Sequence, residues 1–255
     1  MDQEHFSGKT VVVSGAGAGI GLATVQRFLQ VGANVVAIDN SSARCDALRG
    51  LGSAVTVIHA DLSTAEGLAT IEAEYVSRQV SPDVLVNVAG RLLVKPFLEC
   101  DRNDWSSLLD MNVGSMALMS RLVLPSMVAR RAGNIVNVAS LSGHLATPLE
   151  SVYCVSKAAI IQLTRSIAIE FRRQGIRCNC VSPALVDTDH GRVEIGLLTD
   201  AGVPLTMDDV AAAQLRPAEP REIANAIFFL ASDQSSFMNG AELMLDNGFS
   251  CGAGG

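Results

Sequence analysis

Along the chain, short runs of β-branched and other apolar residues alternate with longer segments whose apolar positions recur at three and four spacing. The runs at 9–13, 34–38, Val55–His59, 84–88, 134–138, 176–181 and Glu242–Leu245 are too short for helices. They are also too continuously apolar for half-exposed strands, so each predicts a strand covered on both faces. Between them, Leu22, Val25 and Leu29, or Ile223, Ile227 and Leu230, place apolar side chains on one helical face. Strand followed by helix, repeated along the whole length, predicts a doubly wound α/β architecture: a seven-stranded parallel sheet flanked by helices. No linker, repeat or low-complexity stretch divides it, so residues 1–255 read as a single domain. The least regular stretch is 182–220, with Pro183, Pro204, Pro217 and Pro220. A long irregular segment in a compact domain is usually a binding loop, and 188–215 is expected to be a lid.

Composition narrows the function classes. The net charge is -7, with 19 Lys and Arg spread along the chain, so the concentrated basic surface a nucleic-acid partner requires is not expected. Residues 1–9 are polar and resemble no secretion signal, and no run approaches the ~18 uninterrupted apolar residues of a membrane span, so a cytoplasmic protein is expected. The six cysteines and four histidines lack metal-ligand spacing, and no metal site is expected. Cys178 and Cys180, two apart in a strand, point to one face and read as buried free thiols.

The first strand runs into Ser14-Gly15-Ala16-Gly17-Ala18-Gly19-Ile20-Gly21 and then a helix. Glycines permit a tight turn and close backbone approach to a pyrophosphate, and the helix N-terminus offers free N–H groups to the anion, as in a Rossmann-type dinucleotide site. The spacing G-x-G-x-x-G does not fit; Gly15, Gly19 and Gly21 do. The next strand ends at Asp39, whose carboxylate can accept from both ribose hydroxyls of NAD but would repel the 2′-phosphate of NADP. No Lys or Arg lies in the glycine turn to offset that charge. Asp39 as a plain turn residue beside Asn40 is the bland alternative. Asp61, after the third strand, is a candidate acceptor for the adenine amino group or a cap for a helix starting near Thr64.

In Tyr153-Cys154-Val155-Ser156-Lys157, the phenol and ammonium share one helical face. A nearby cation favours phenolate, so Tyr153 could exchange a proton with a substrate hydroxyl while a nicotinamide takes hydride. Such a pair alone is also common on exposed helices.

Taken in order, the glycines, Asn87-Val88-Ala89-Gly90, Asn112, Ser140, Tyr153 with Lys157, and Pro183 followed by Thr188 resemble the motif series of the short-chain dehydrogenase/reductase family, from about Lys9 to Gly248. The resemblance implies an NAD-dependent oxidoreductase acting on a secondary alcohol or ketone. Ser140 would orient the substrate oxygen, Tyr153 would be the general acid/base, and Lys157 would bind the nicotinamide ribose and depress the Tyr153 pKa. Asn112 would anchor a water leading to Lys157. Thr188 would contact the carboxamide, and Asn87 would support the adenosine side and the central sheet. The cofactor set extends by the same resemblance to Ile20, Leu62, Ala89, Gly90, Pro183 and Val186.

Two departures stand out: Val88 where a second Asn is frequent, and Ala184 where glycine is common. Several stretches are similar to cytosolic 3-hydroxybutyrate dehydrogenases, which grip a carboxylate with arginines, yet Glu150 stands at one such position, leaving Arg91 or Arg192 to serve. The substrate pocket is expected between 91–97, 141–150 and 185–214, with Leu141, Leu145, Leu149, Leu185 and Val186 as an apolar wall and His144, His190 and Glu150 as candidate polar contacts. The helices expected at 103–130 and 151–173 are apolar on more than one face and are similar to those that pair in this family, so a homotetramer is expected. The rival readings are an NADP-dependent 3-oxoacyl-type ketoreductase and a catalytically silent NADH-binding regulator on the same fold.

Overall fold

The computed structural model describes residues 6–252, so residues 1–5 of the polar opening segment lie outside the described range. The chain runs β1 (Thr10–Ser14), α1 (Gly19–Leu29), β2 (Asn34–Asp39), α2 (Ser42–Arg49), β3 (Val55–His59), α3 (Ala65–Ser77), β4 (Val84–Asn87) and α4 (Arg102–Leu109). It continues through a π-helical turn (Asp110–Gly114) into α5 (Ser115–Arg130), β5 (Gly133–Val138), α6 (Ser151–Phe171), β6 (Ile176–Pro183), α7 (Asp189–Asp200), α8 (Met207–Gln214), α9 (Pro220–Ala231) and β7 (Glu242–Leu245). The seven strands form one sheet in the order β3-β2-β1-β4-β5-β6-β7, and every pairing is parallel. This is the doubly wound α/β fold that the pattern predicts.

Alternation along each strand divides the core. Val11, Val13, Val86 and Val136 pack with Val25 and Phe28 of α1 and Ile223 and Ile227 of α9 on one face. Val12, Leu85, Ile135 and Cys178 pack with Ile71 of α3 and Met119, Val123 and Met127 of α5 on the other. Both faces are therefore dry, which is why the strands read as continuous apolar runs.

The strand order reverses between β1 and β4, whose registers align Ser14 with Ile38 on one side and Asn87 on the other. The Ser14 hydroxyl accepts from the backbone N–H of Val88 (3.2 Å) and Ala89 (3.3 Å), tying the two strand ends together. Ligands of open α/β sheets bind outside the carboxyl ends of the strands at such a reversal.

Two expectations need correction. The helix expected over 103–130 is broken at Asp110–Gly114, where one wider turn carries Asn112. The segment 188–215 is not irregular: Thr188 caps α7 by accepting from the Gly191 N–H, and Thr206 caps α8 in a reciprocal box with Asp209. The prolines punctuate rather than disrupt, Pro220 sitting at the start of α9 where a missing N–H costs nothing. The helix over 151–174 is long and apolar enough to cross a membrane by length and composition, but 56% of its 18-residue apolar window is buried inside the protein, where it faces the core.

Candidate active site

A cavity of about 760 Å³ opens along the carboxyl edge of the sheet. At one end, Gly15 turns the chain with φ 64°, and a Cβ there would lie 2.9 Å from the backbone of Ala89, so only glycine lets the turn lie against the end of β4. Gly21 closes the same turn from the helix side, its hypothetical Cβ falling 1.9 Å from the Gly15 carbonyl. Helix α1 then begins with no side-chain cap from Ala18 and no acid in its first turn, while Ala18, Gly19 and Ile20 line the cavity. Uncapped N–H groups at a positive helix end, without a competing carboxylate, fit a pyrophosphate.

Asp39 is buried at the tip of β2 and accepts from the N–H of Gly17 (2.8 Å) and Ser41 (3.0 Å), one bond per carboxylate oxygen. A carboxylate has about four lone-pair sites, so it retains capacity toward the cavity it lines. That remaining acceptor capacity fits a ribose diol. Arg44, on α2, lines the cavity next to it and packs over Gly17, a cation that reading the glycine turn alone missed. Asp61 and Leu62 also line this end. The Asp61 carboxylate accepts from the N–H and hydroxyl of Ser63, which hold it below the usual range, and the cap of α3 is Thr64 instead.

At the other end, β5 delivers Ser140, and α6 delivers Tyr153 and Lys157 one turn apart; all three line the cavity. Tyr153 and Lys157 are both about 94% buried. The Lys157 ammonium donates to the Val138 carbonyl at 3.3 Å and sits 5.4 Å from the centre of the Tyr153 ring. Burial pushes the Tyr153 phenol above its ordinary value, Glu194 and Glu150 push it further, and a hydrogen bond with Ser140 opposes them. Desolvation is the largest of these influences. Burial also lowers Lys157 to about 8.

Asn112 lies behind this centre rather than in the cavity wall. Its side chain accepts from the Arg91 N–H (2.7 Å) and donates to the Arg91 carbonyl (2.9 Å) and the Ser156 hydroxyl (3.0 Å), bracing the β4 exit against α6. The π-helical turn is what aims it there, a device frequent at functional sites. A Cβ on Gly90 would lie 3.3 Å from Asn112 Oδ1 and 3.8 Å from Lys157 Nζ, so the two groups approach across that glycine.

Of the other sequence candidates, Ala89, Gly90, Pro183, Val186 and Thr188 line the cavity. Gly21 and Asn87 stand outside its wall. Asn87 donates to the Asn137 side chain at 2.9 Å inside the sheet, so its place is structural, because β4 buries it between two strands. Leu141 and Leu185 line the cavity, but Leu145 and Leu149 do not, and of 91–97 only Arg91 does. His144 points away and pairs with Glu242 at 2.7 Å. Arg192 faces outward onto Asp187 and Asp189. Glu150 is no rim residue: it is fully buried. Glu194, which no sequence motif flags, lines the cavity; its only signal was its place in the segment after β6.

A family described as enoyl-(acyl carrier protein) reductase matches residues 15–250. Dehydrogenase/reductase SDR family member 6 of Danio rerio is 36% identical over 248 residues, 96% of this chain and 98% of that protein. A 4-hydroxyisoleucine dehydrogenase solved with NADH superposes with a TM-score of 0.86 at 30% identity, covering 96% of this chain and 99% of that one. A protein from Beutenbergia cavernae, provisionally assigned as an NAD(P)-dependent gluconate 5-dehydrogenase and holding NADP at low occupancy, gives the same score at 30% identity, with 97% and 99% covered.

Proposed function

This chain belongs to the short-chain dehydrogenase/reductase family of oxidoreductases, and from that premise we propose that it interconverts a secondary alcohol and its ketone with NAD(H), Tyr153 carrying the proton. What supports the reading above all is that Ser140, Tyr153 and Lys157 converge on one end of a cavity whose other end is a glycine-rich turn and the Asp39 carboxylate. The relatives solved with NADH and NADP support a nicotinamide cofactor. When bound, that group supplies or takes the hydride.

The chain's own residues handle the oxygen and its proton. Ser140 Oγ already accepts from the Ser142 N–H (3.1 Å), which leaves its hydroxyl hydrogen for Tyr153 or a substrate oxygen. Tyr153, held as a phenol by burial, is set to donate to a carbonyl oxygen as that carbon is reduced. In the reverse direction it must first give its proton up to solvent, and the cationic Lys157 beside it would favour the phenolate that then takes the alcohol proton. Asn112 and Ser156 fix the helix that carries both. Helices α7 and α8 cover the cavity through His190, Glu194 and Val210 and act as the lid. Exposed Leu118 on α5 and Val155 and Ile169 on α6 support pairing of these helices between copies, and so the tetramer.

Asp39 supports a preference for NAD, since its buried charge opposes a 2′-phosphate. Comparing kcat/KM for NAD and NADP should give NAD the advantage, and Asp39→Ala should shrink it by on the order of tenfold or more. A higher value with NADP in the unaltered protein would replace this reading with the NADP-dependent ketoreductase, with Arg44 as the phosphate's partner. Absence of turnover with any secondary alcohol would favour the silent regulator.

A further inference from the structure

The substrate half of the cavity holds ionisable groups that the proposed proton transfer does not use. Glu194, on α7, lines the cavity and makes no hydrogen bond or ion pair among the described residues. Burial raises its carboxyl to about 7, with Lys157 pulling the other way. Glu150 ends the loop before α6 and is completely buried; neither carboxylate oxygen has a partner in hydrogen-bonding geometry, although the Thr147 hydroxyl bears on the group. Burial and then Glu194 raise it to about 8. The turn that buries it is held against strain: Leu149 adopts φ 66°, and its carbonyl is gripped by the Lys95 N–H at 2.7 Å. His190 completes the group, its ring 6.4 Å from that of Tyr153, lowered by burial and then by Lys157.

Among the described residues, the cations near these acids already have other contacts, and Arg44 lies beside Asp39 at the cofactor end of the cavity. Lys157 donates to the Val138 carbonyl, lies over the Tyr153 ring and is assigned to the nicotinamide ribose. Arg91 aims its guanidinium at the Ser107 carbonyl. Arg192 is engaged outside the cavity. A carboxylate substrate would bring a third acid against two that desolvation already holds back from ionising. A ligand bearing a positive charge does the reverse, since it restores to Glu194 the counter-ion that the fold withholds. A neutral hydroxyl could hydrogen-bond Glu194 but would leave its charge uncompensated.

We propose that Glu194 is the specificity-determining residue of the substrate site, binding a protonated amino group, so that the substrates are amino alcohols and the corresponding amino ketones. The assignment rests on the dehydrogenase reading for the reaction and on the cavity alone for the binding. Buried Glu150, whose charge bears on both Glu194 and Tyr153, reinforces it, because a cation in the cavity eases ionisation of both carboxyls.

The test uses one carbon skeleton with three head groups: 4-amino-2-butanol, 1,3-butanediol and 3-hydroxybutyrate. None of these alcohols reacts with NADH, so each can be titrated calorimetrically into NADH-saturated protein, and NAD reduction can be followed separately with the same three. The amino alcohol should bind on the order of tenfold to a hundredfold tighter than the diol, and the hydroxy acid weakest. Glu194→Gln should collapse the amine-to-diol ratio toward one, and Glu194→Arg should reverse the order in favour of the acid; unchanged NADH affinity reports that each variant is folded. Equal binding of amine and diol, tighter binding of the acid, no binding of the amine at millimolar concentration, or a ratio that survives Glu194→Gln each overturns the proposal. The expected binding order without NAD reduction by any alcohol would keep Glu194 in its role and remove the dehydrogenase reading. Reduction without an amine preference would do the opposite.

Discussion

The two ends of the cavity solve different electrostatic problems. At the adenosine end the carboxylates are held by fixed donors: the Asp39 carboxylate takes two backbone N–H groups, Asp61 takes Ser63, and the helix N-terminus offers its own free N–H groups in a fixed array. At the reaction end, burial displaces Tyr153 and Glu150 upward and Lys157 downward, and Glu150 lacks any partner in good geometry. A binding site gains from groups that already suit their ligand. A proton-transfer site gains from groups whose charge is held back until a substrate supplies what burial removed. The difference shows where the fold concentrates its unfavourable desolvation: around the residue proposed to do the chemistry.

The contrast breaks most sharply at Tyr153. Tyr153→Phe removes one hydroxyl from the reaction end and leaves the other end untouched, so turnover should fall by about 10² to 10⁴ while NADH affinity by calorimetry stays level. A variant that kept its kcat would take the phenol out of the mechanism.

Glu150 tests whether the reaction end is strained by burial. Its carboxyl is near 8 in the folded chain, above the ordinary 4.5. A carboxyl with a raised folded value binds its proton more tightly when folded. Its contribution to stability is therefore complete below 4.5 and lost as pH rises through about 8. Glu194, Tyr153 and Cys154 bear on the same group, so the size is set by the cluster; a loss of a few kcal/mol across that window is expected. Thermal denaturation from acid to mildly alkaline pH should show Glu150→Gln with a flatter profile and a higher Tm than the parent at the alkaline end. Parallel profiles would mean that the carboxyl ionises freely.

The smallest effect is expected at the adenosine end. Gly15→Ala forces a Cβ against the Ala89 backbone at a left-handed φ, and should cost about 2 kcal/mol in stability. Weaker NADH binding should accompany it. Stability unchanged in chemical denaturation would show that the turn can relax away from β4.

How far each end was legible follows from the range over which it is built. The glycine turn and Asp39 belong to one β-α-β unit, and the backbone demands of a tight turn are written locally as residues without a Cβ. Tyr153 and Lys157 are one helical turn apart, so their common face is also a local matter. By contrast, the resemblance gives Asn87 to the adenosine side and the central sheet alike, and only the sheet register shows its bond to Asn137. Leu145 carries the same apolar letter as Leu141, yet one is exposed and the other lines the cavity, because the short turn after Ser140 faces them apart. The stretch 182–220 reads as irregular in sequence because its four prolines mask Thr188 and Thr206, whose capping starts two helices.

The sequence by itself determined the strand and helix order, the parallel sheet and the placement of a glycine turn and an acid at its carboxyl edge, because periodicity and backbone freedom act over a few residues. Only the tertiary structure decided which charges face one another: that Lys157 donates to the Val138 carbonyl beside the Tyr153 ring, that Glu150 is sealed from water, and that Glu194 on α7 comes to the same cavity. Electrostatic energy in a buried site depends on distance and dielectric, and both are fixed by elements far apart in the chain that come together only when the sheet and its covering helices close.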